Sequence, residues 1–318
     1  MINYYTIPDS YANFELNLKL LNLIENHPEL FREDFKIASA YGCPGNCIWN
    51  GNRAGKGNYK LEEIELTFAT YQSRGLSYNL TFSNTLLTEE HLSDTLGNTL
   101  ARIGEIEGNK VIVTSPVFEE YIREKYPKYG IIKSIVTFFN NPSLISVDKV
   151  NEWSENNTVV LPLKYNNDFD TLAKLKYPEN IEVLVNQPCE YRCPYTMDHY
   201  NAYNRSNLYL PVEPWELECR FANKNPEPHR MQKHFVSYEL IKKYNDLGIH
   251  HFKIAGRDIP DLSLSEYVYR FAKPSYEDII TNLLVHINPY DIRWGDLTGA
   301  LHEASFREHP KKIIEIKE

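Results

Sequence analysis

Cys189 and Cys193 stand four positions apart in the run Asn186-Gln187-Pro188-Cys189-Glu190-Tyr191-Arg192-Cys193-Pro194. Thiolates are soft donors, and a loop lets two of them turn toward one centre. His199 follows, then Cys219, while Cys43 and Cys47 form a second pair in Gly42-Cys43-Pro44-Gly45-Asn46-Cys47. Zinc would be satisfied by Cys189, Cys193 and Cys219 with His199 or Cys43. A [4Fe–4S] cluster asks for four thiolates, and the chain has five cysteines. The C-x3-C-x2-C order of a radical-SAM cluster is absent, because Thr196 and Asn50 stand where its third cysteine belongs. The plain alternative is a tight turn at 42–47 and ordinary thiols elsewhere.

Other chemistry-bearing residues sit at the ends of strand-like runs. Arg257 ends the run His251-Phe252-Lys253-Ile254-Ala255-Gly256, where a fixed guanidinium can clamp a carboxylate or phosphate. Lys253 alternates with Phe252 and Ile254, so it points to the opposite face, into a barrel, where burial lowers its pKa. Asn84 ends another such run. His199 reads as a ligand, an acid/base or a plain hydrogen-bonding residue. Catalytic candidates are therefore Arg257, Lys253, His199 and Asn84. Trp49 and Arg53 follow the first cysteine pair, and Tyr191, Tyr195, Tyr200 and Tyr203 can wall a site.

The elements that must position these residues follow a rhythm. Strands are expected at Phe35–Ala40, Tyr78–Asn84, Val111–Ser115, Ile131–Phe139, Thr158–Leu163, Ile181–Val185, a short one at Phe235–Val236, and His251–Gly256. Helical patterns fill most of the intervals, and an irregular stretch follows strand six. Strand and helix alternating about eight times give parallel strands with crossover helices. The expectation is an α/β fold, a (β/α)8 TIM-type barrel. The competing doubly wound sheet lacks its glycine fingerprint after the first strand. Residues 1–35 are expected to be an N-terminal helical segment. Residues 36–318 are expected to form the barrel, including an insertion at 189–234.

The totals narrow the class. Of 318 residues 42% are hydrophobic, enough for a sizeable core. The net charge of −9 and the lack of a basic block argue against a general nucleic-acid binder. No apolar run approaches the roughly 20 residues that span a bilayer. The opening Met1-Ile2-Asn3-Tyr4-Tyr5 has no leader pattern, so a cytoplasmic setting with reduced thiols is expected.

Cys189-x3-Cys193-Pro194 with His199-Tyr200, together with Phe252-Lys253-Ile254-Ala255-Gly256-Arg257, resembles the peptidase U32 family. The resemblance covers mainly residues 181–275. It implies a (β/α)8 barrel holding a [4Fe–4S] cluster through four cysteines. For several members it also implies oxygen-independent hydroxylation of ubiquinone precursors or RNA bases. On this chain the implied ligands are Cys189, Cys193 and Cys219, with Cys43 or Cys47 as the fourth. Ala255 departs from the family's Lys-Ile-Glu-Gly-Arg. The expected function is an iron–sulfur barrel enzyme acting on a small or medium polar, anionic substrate, either a small molecule or a macromolecule under modification. Two other readings stand beside it: a zinc-dependent or metal-free barrel enzyme, and a non-enzymatic protein that docks a partner through 189–234 and Trp215.

Overall fold

Eight parallel strands close on themselves in chain order, so the fold is a (β/α)8 TIM-type barrel. The computed structural model describes residues 1–9, 13–43, 47–51, 60–190, 192–209, 229–257 and 259–286. The strands are β1 (Asn3–Pro8), β2 (Phe35–Gly42), β3 (Ser77–Phe82), β4 (Lys110–Val113), β5 (Gly130–Lys133), β6 (Thr158–Val160), β7 (Ile181–Leu184) and β8 (His251–Lys253). The described α-helices are α1 (Phe14–Asn26), α2 (Leu61–Ser73), α3 (Thr95–Ile103), α4 (Pro116–Lys125), α5 (Ile135–Asn140), α6 (Val147–Ser154), α7 (Phe169–Leu172), α8 (Thr196–Tyr209), α9 (Ile241–Asn245), α10 (Pro260–Phe271) and α11 (Glu277–His286). Among the described residues no helix is long and apolar enough to cross a membrane.

The strand alternation explains how the core is divided. Outward residues such as Tyr78, Leu80 and Phe82 on β3 join one large apolar cluster with the helices. Inward residues form a second, smaller cluster of Tyr41, Ile112, Ile132, Val160, Leu184 and Ala255 inside the upper barrel. Beneath it the inward side chains are polar. Thr6 Oγ1 donates to Glu182 Oε1 at 2.6 Å, Ser39 Oγ to Thr6 Oγ1 at 2.9 Å, and Asn79 Nδ2 to Ser39 Oγ at 3.2 Å.

Three expectations are corrected. The first 35 residues are not only a helical cover: Asn3–Pro8 is a barrel strand, pairing with both β2 and β8. Its inward Thr6 breaks the continuous apolar run that marks a parallel strand. Phe235–Val236 is not a strand. Val236 N donates to Val185 O, but Phe235 N turns back to Gln232 O. The eight strands are thus reached with β1 in and Phe235–Val236 out, and the insertion follows β7. The strand expected at Ile131–Phe139 stops at Lys133, because Ser134 caps α5 by accepting from Val136 N at 3.2 Å.

Candidate functional site

At the C-terminal ends of the strands the barrel opens into a cavity of about 90 Å³, lined among others by Tyr41, Thr81, Ser134, Leu184, Lys253 and Arg257. This is the face where loops after the strands build the active sites of such barrels. The apolar collar of Ile112, Val160, Leu184 and Ala255 excludes water from the wall, and the polar groups converge on one side.

Arg257 is placed by a turn that glycine makes possible. Gly256 has φ +145°, and a Cβ there would lie 2.4 Å from Ser263 Oγ. Its carbonyl accepts from Asn13 Nδ2 at 2.8 Å and from Ser263 Oγ at 3.2 Å, which anchors the turn. The Arg257 side chain then runs across the mouth toward the ends of β2 and β3. Nη1 donates to Thr81 Oγ1 at 2.7 Å and to Asn50 Oδ1 at 3.4 Å, and Nη2 donates to Gly51 O at 3.1 Å. All three acceptors are neutral. Among the described residues no carboxylate pairs with this guanidinium, which is 9% exposed; Asp258 lies outside them. Among the described residues these contacts leave Nε–H and one Nη2–H, the two donors an oxyanion engages side by side.

Lys253 points into the barrel. Its Nζ lies 3.2 Å from Glu182 Oε2 and 3.9 Å from the centre of the Tyr41 ring. Burial pushes the ammonium pKa below its ordinary value against the pull of Glu182. Burial also works to raise the Glu182 carboxyl, but Lys253, Thr6 and Lys110 outweigh it and hold the carboxyl below its usual range. Lys253 and Glu182 thus form a close buried pair, and the Arg257 guanidinium works against the Lys253 charge. Among the described residues Arg257 is a buried cation at the mouth without a carboxylate partner, and a low-dielectric wall strengthens its attraction for an anion.

The cysteines fall into two separate pairs. Cys43 and Cys47 are 6% and 0% exposed and belong to the apolar core. Burial drives the Cys43 thiol well above its ordinary pKa, and its hydrogen bond with Cys47 raises it further. Nearby Trp49 is locked by Nε1 donating to His91 O at 2.7 Å and by edge contacts with Phe82 and Phe118. Cys189 and Cys193 are half-buried and line a second cavity of about 370 Å³, with Phe138, Phe139 and Leu163 on its wall. Gln187 lines both cavities. Among the described residues no three His, Cys, Asp or Glu side chains gather to hold a metal. Cys43 therefore does not join Cys189 and Cys193, because its thiol is turned into the core beside Cys47. Cys219, Tyr191, Arg53 and Trp215 lie outside the described residues. Tested against a cluster, the described donors fit half of a thiolate site and not a four-thiolate one.

Two further candidates do not line the mouth cavity. Asn84 is a loop clamp: its Nδ2 donates to Ile48 O at 2.9 Å and Asn204 O at 3.3 Å, and its Oδ1 accepts from Leu86 N at 2.9 Å. It is fully buried by these contacts and does not line the mouth cavity. His199 sits in the first turns of α8 with its ring centre 5.0 Å from that of Tyr203. Residues not singled out from the sequence also matter. Glu182 was readable as the one carboxylate in the apolar run Ile181–Val185. Tyr41, Gln187 and Asn50 give no such signal, since their roles depend on which loop meets which.

No family model matches the chain. Among curated proteins it is similar to an uncharacterized protease of Methanocaldococcus jannaschii, 27% identical over 124 residues. That match spans only 36% of this chain and 36% of the relative. Among solved structures it is similar to that of a U32 peptidase, with 15% identity, 80% of this chain and 93% of that chain covered, and a TM-score of 0.49.

Proposed function

We propose that this chain is a divergent U32-type barrel enzyme that takes the anionic group of a small or medium polar substrate at Arg257. One observation carries the reading: a buried guanidinium, held among the described residues by neutral acceptors alone, faces a cavity that it shares with Lys253. A group fixed in this way keeps its charge available and costs little reorganisation when the anion arrives. Lys253 lies below the guanidinium, 3.2 Å from Glu182. Tyr41, lying between the two cations, shapes the wall. The mouth void is smaller than the roughly 150 Å³ that admits benzene, so it suits a carboxylate or similar headgroup rather than a whole substrate. The remainder would extend past Gln187 toward the second cavity.

Oxygen-independent hydroxylation is the reaction that the family resemblance brings with it. It requires a cluster, and the described residues supply half the donors, so the anion site and not a redox step carries the proposal. We assign Cys189 and Cys193 as metal ligands with Cys219 as a third, and leave Cys43 out of the set. Such thiolates suit an iron–sulfur cluster or zinc; when bound, the group would supply electron transfer or Lewis acidity.

Calorimetric titration of the whole protein with acetate and with inorganic phosphate tests the anion site. Saturable binding that weakens at least tenfold in Arg257→Gln is expected, on the scale of about 1.5–3 kcal/mol for a charged hydrogen bond. Equal binding by both forms would overturn it. Metal analysis after oxygen-free purification tests the ligand set. Metal should fall in Cys189→Ala and Cys219→Ala and persist in Cys43→Ala.

A further inference from the structure

Helix α8 begins at the thiol pair and ends at the anion site. Cys193 O accepts from Thr196 N at 3.3 Å and from Thr196 Oγ1 at 2.8 Å, so the cysteine loop is stitched to the first turn. The 14-residue helix then runs on for roughly 21 Å. Asparagines at spacings of three hold its far part to the loops after β2 and β3. Thr85 Oγ1 donates to Asn201 Oδ1 at 3.1 Å, Asn204 Nδ2 to Thr85 Oγ1 at 2.7 Å, and Asn207 Nδ2 to Asn50 O at 2.8 Å. Such spacing puts the three side chains on one face of the helix. Between the ends, Tyr200 lines the mouth cavity and packs on Phe139 at 5.8 Å.

Asn50 is the junction. Its backbone carbonyl receives α8 through Asn207, and its side-chain carbonyl receives Arg257 Nη1 and Thr81 Oγ1, the latter at 3.0 Å. A shift of α8 therefore moves the residue that aims the guanidinium.

We propose that α8 couples the thiol pair to the anion site: a group attached at Cys189 or Cys193 displaces the helix start, and Asn207 carries the displacement through Asn50 to Arg257. Asn207 and Asn50 are positioning residues in this scheme. Coupling rests on discrete contacts at both ends of one rigid element, and linkage makes it reciprocal. The inference builds on the anion site at Arg257, yet it has a readout that does not need an anion to bind.

The experiment alkylates the whole protein with N-ethylmaleimide, which reaches the half-exposed Cys189 and Cys193 ahead of the buried pair. Hydrogen exchange is then followed at Asn50 and Gly51, whose amides donate to Cys47 O and Thr81 O. Exchange there should quicken on alkylation, and the acetate dissociation constant should rise about tenfold, within the usual range of coupling. Both effects should vanish in the Cys189→Ala, Cys193→Ala double variant. Both should be lost in Asn207→Ala, or in Asn207→Ser if the alanine form does not fold. Unchanged exchange at Asn50 and Gly51 in the alkylated parent overturns the coupling, as does a full effect in the Asn207 variants. If acetate fails to bind the unmodified parent, the anion-site reading fails, and the exchange measurement still decides the coupling.

Discussion

Lys253 Nζ and Glu182 Oε2 lie 3.2 Å apart on adjacent strands, with both side chains almost wholly out of water. Glu182 also accepts from Thr6, so the pair ties β7, β8 and β1 together from within. Removing one partner leaves a buried charge without compensation. Glu182→Gln should therefore destabilise the fold by about 3–5 kcal/mol, which denaturant titration near neutral pH will show. A loss below about 1 kcal/mol would mean that Lys253 sheds its proton or finds another partner.

The same pair gives a sign for pH dependence. The folded Glu182 carboxyl titrates below its ordinary value of 4.5. Its contribution is then fully present above that value and is lost as pH falls through the folded pKa. Lys253 behaves in the opposite sense. Its folded pKa lies below the usual 10.5, so its protonated form weighs against folding and stability rises as pH climbs through the lowered value toward 10.5. Denaturant midpoints measured across the acid range should show a steeper loss for the parent than for Glu182→Gln. Parallel curves would show that other carboxylates govern the acid limb.

Gly256→Ala should be costly out of proportion to one methyl group. The backbone angle of +145° disfavours any side chain, and the new Cβ would press on Ser263 Oγ at 2.4 Å. Strain of this kind is worth about 1–3 kcal/mol. Because Arg257 follows directly, anion binding should weaken together with the thermal midpoint. A variant that keeps the parent's acetate affinity would separate the turn from the guanidinium's position.

Thiol chemistry should sort the cysteines by environment. Cys43 is buried and its thiol is held protonated at neutral pH by burial and by Cys47. Reaction needs thiolate and access, so Cys189 and Cys193 should be modified roughly tenfold or more ahead of Cys43 and Cys47. Peptide mass spectrometry over a time course reads this order. Early labelling at Cys43 would place that loop in water.

Asn84→Ala should act on stability and not on ligand binding directly. Its buried amide bridges Ile48, Leu86 and Asn204. Removing a buried amide that makes three hydrogen bonds costs on the order of 1–3 kcal/mol. A lowered melting midpoint with saturable acetate binding retained at low temperature is the expected pattern, and loss of binding in a fully folded variant would return Asn84 to the site.

What could be read in advance follows from how each element is stabilised. The crossover rhythm was legible because outward strand residues such as Leu80 and Val183 must pack on helices. β1 was not, since Tyr4-Tyr5-Thr6 alternates between apolar and polar neighbours over only six residues. The inward turn of Lys253 was legible from alternation along one strand, and Arg257 was singled out by its place at the end of the same run. The fate of Cys43 was not, because sequence spacing reveals donors but not whether a loop turns its thiols outward or into the core. Asn50 was read only as part of a loop, as its importance comes from two partners more than 150 positions away in the chain.

Closure of the barrel has a consequence for synthesis. Tyr4, Tyr5 and Thr6 are made about 245 residues before their second neighbours, His251, Phe252 and Lys253. On the ribosome the first strand must wait, one edge unsatisfied, until the eighth emerges. A nascent chain stalled short of residue 251 would expose two raw sheet margins and invite chaperone capture or intermolecular pairing.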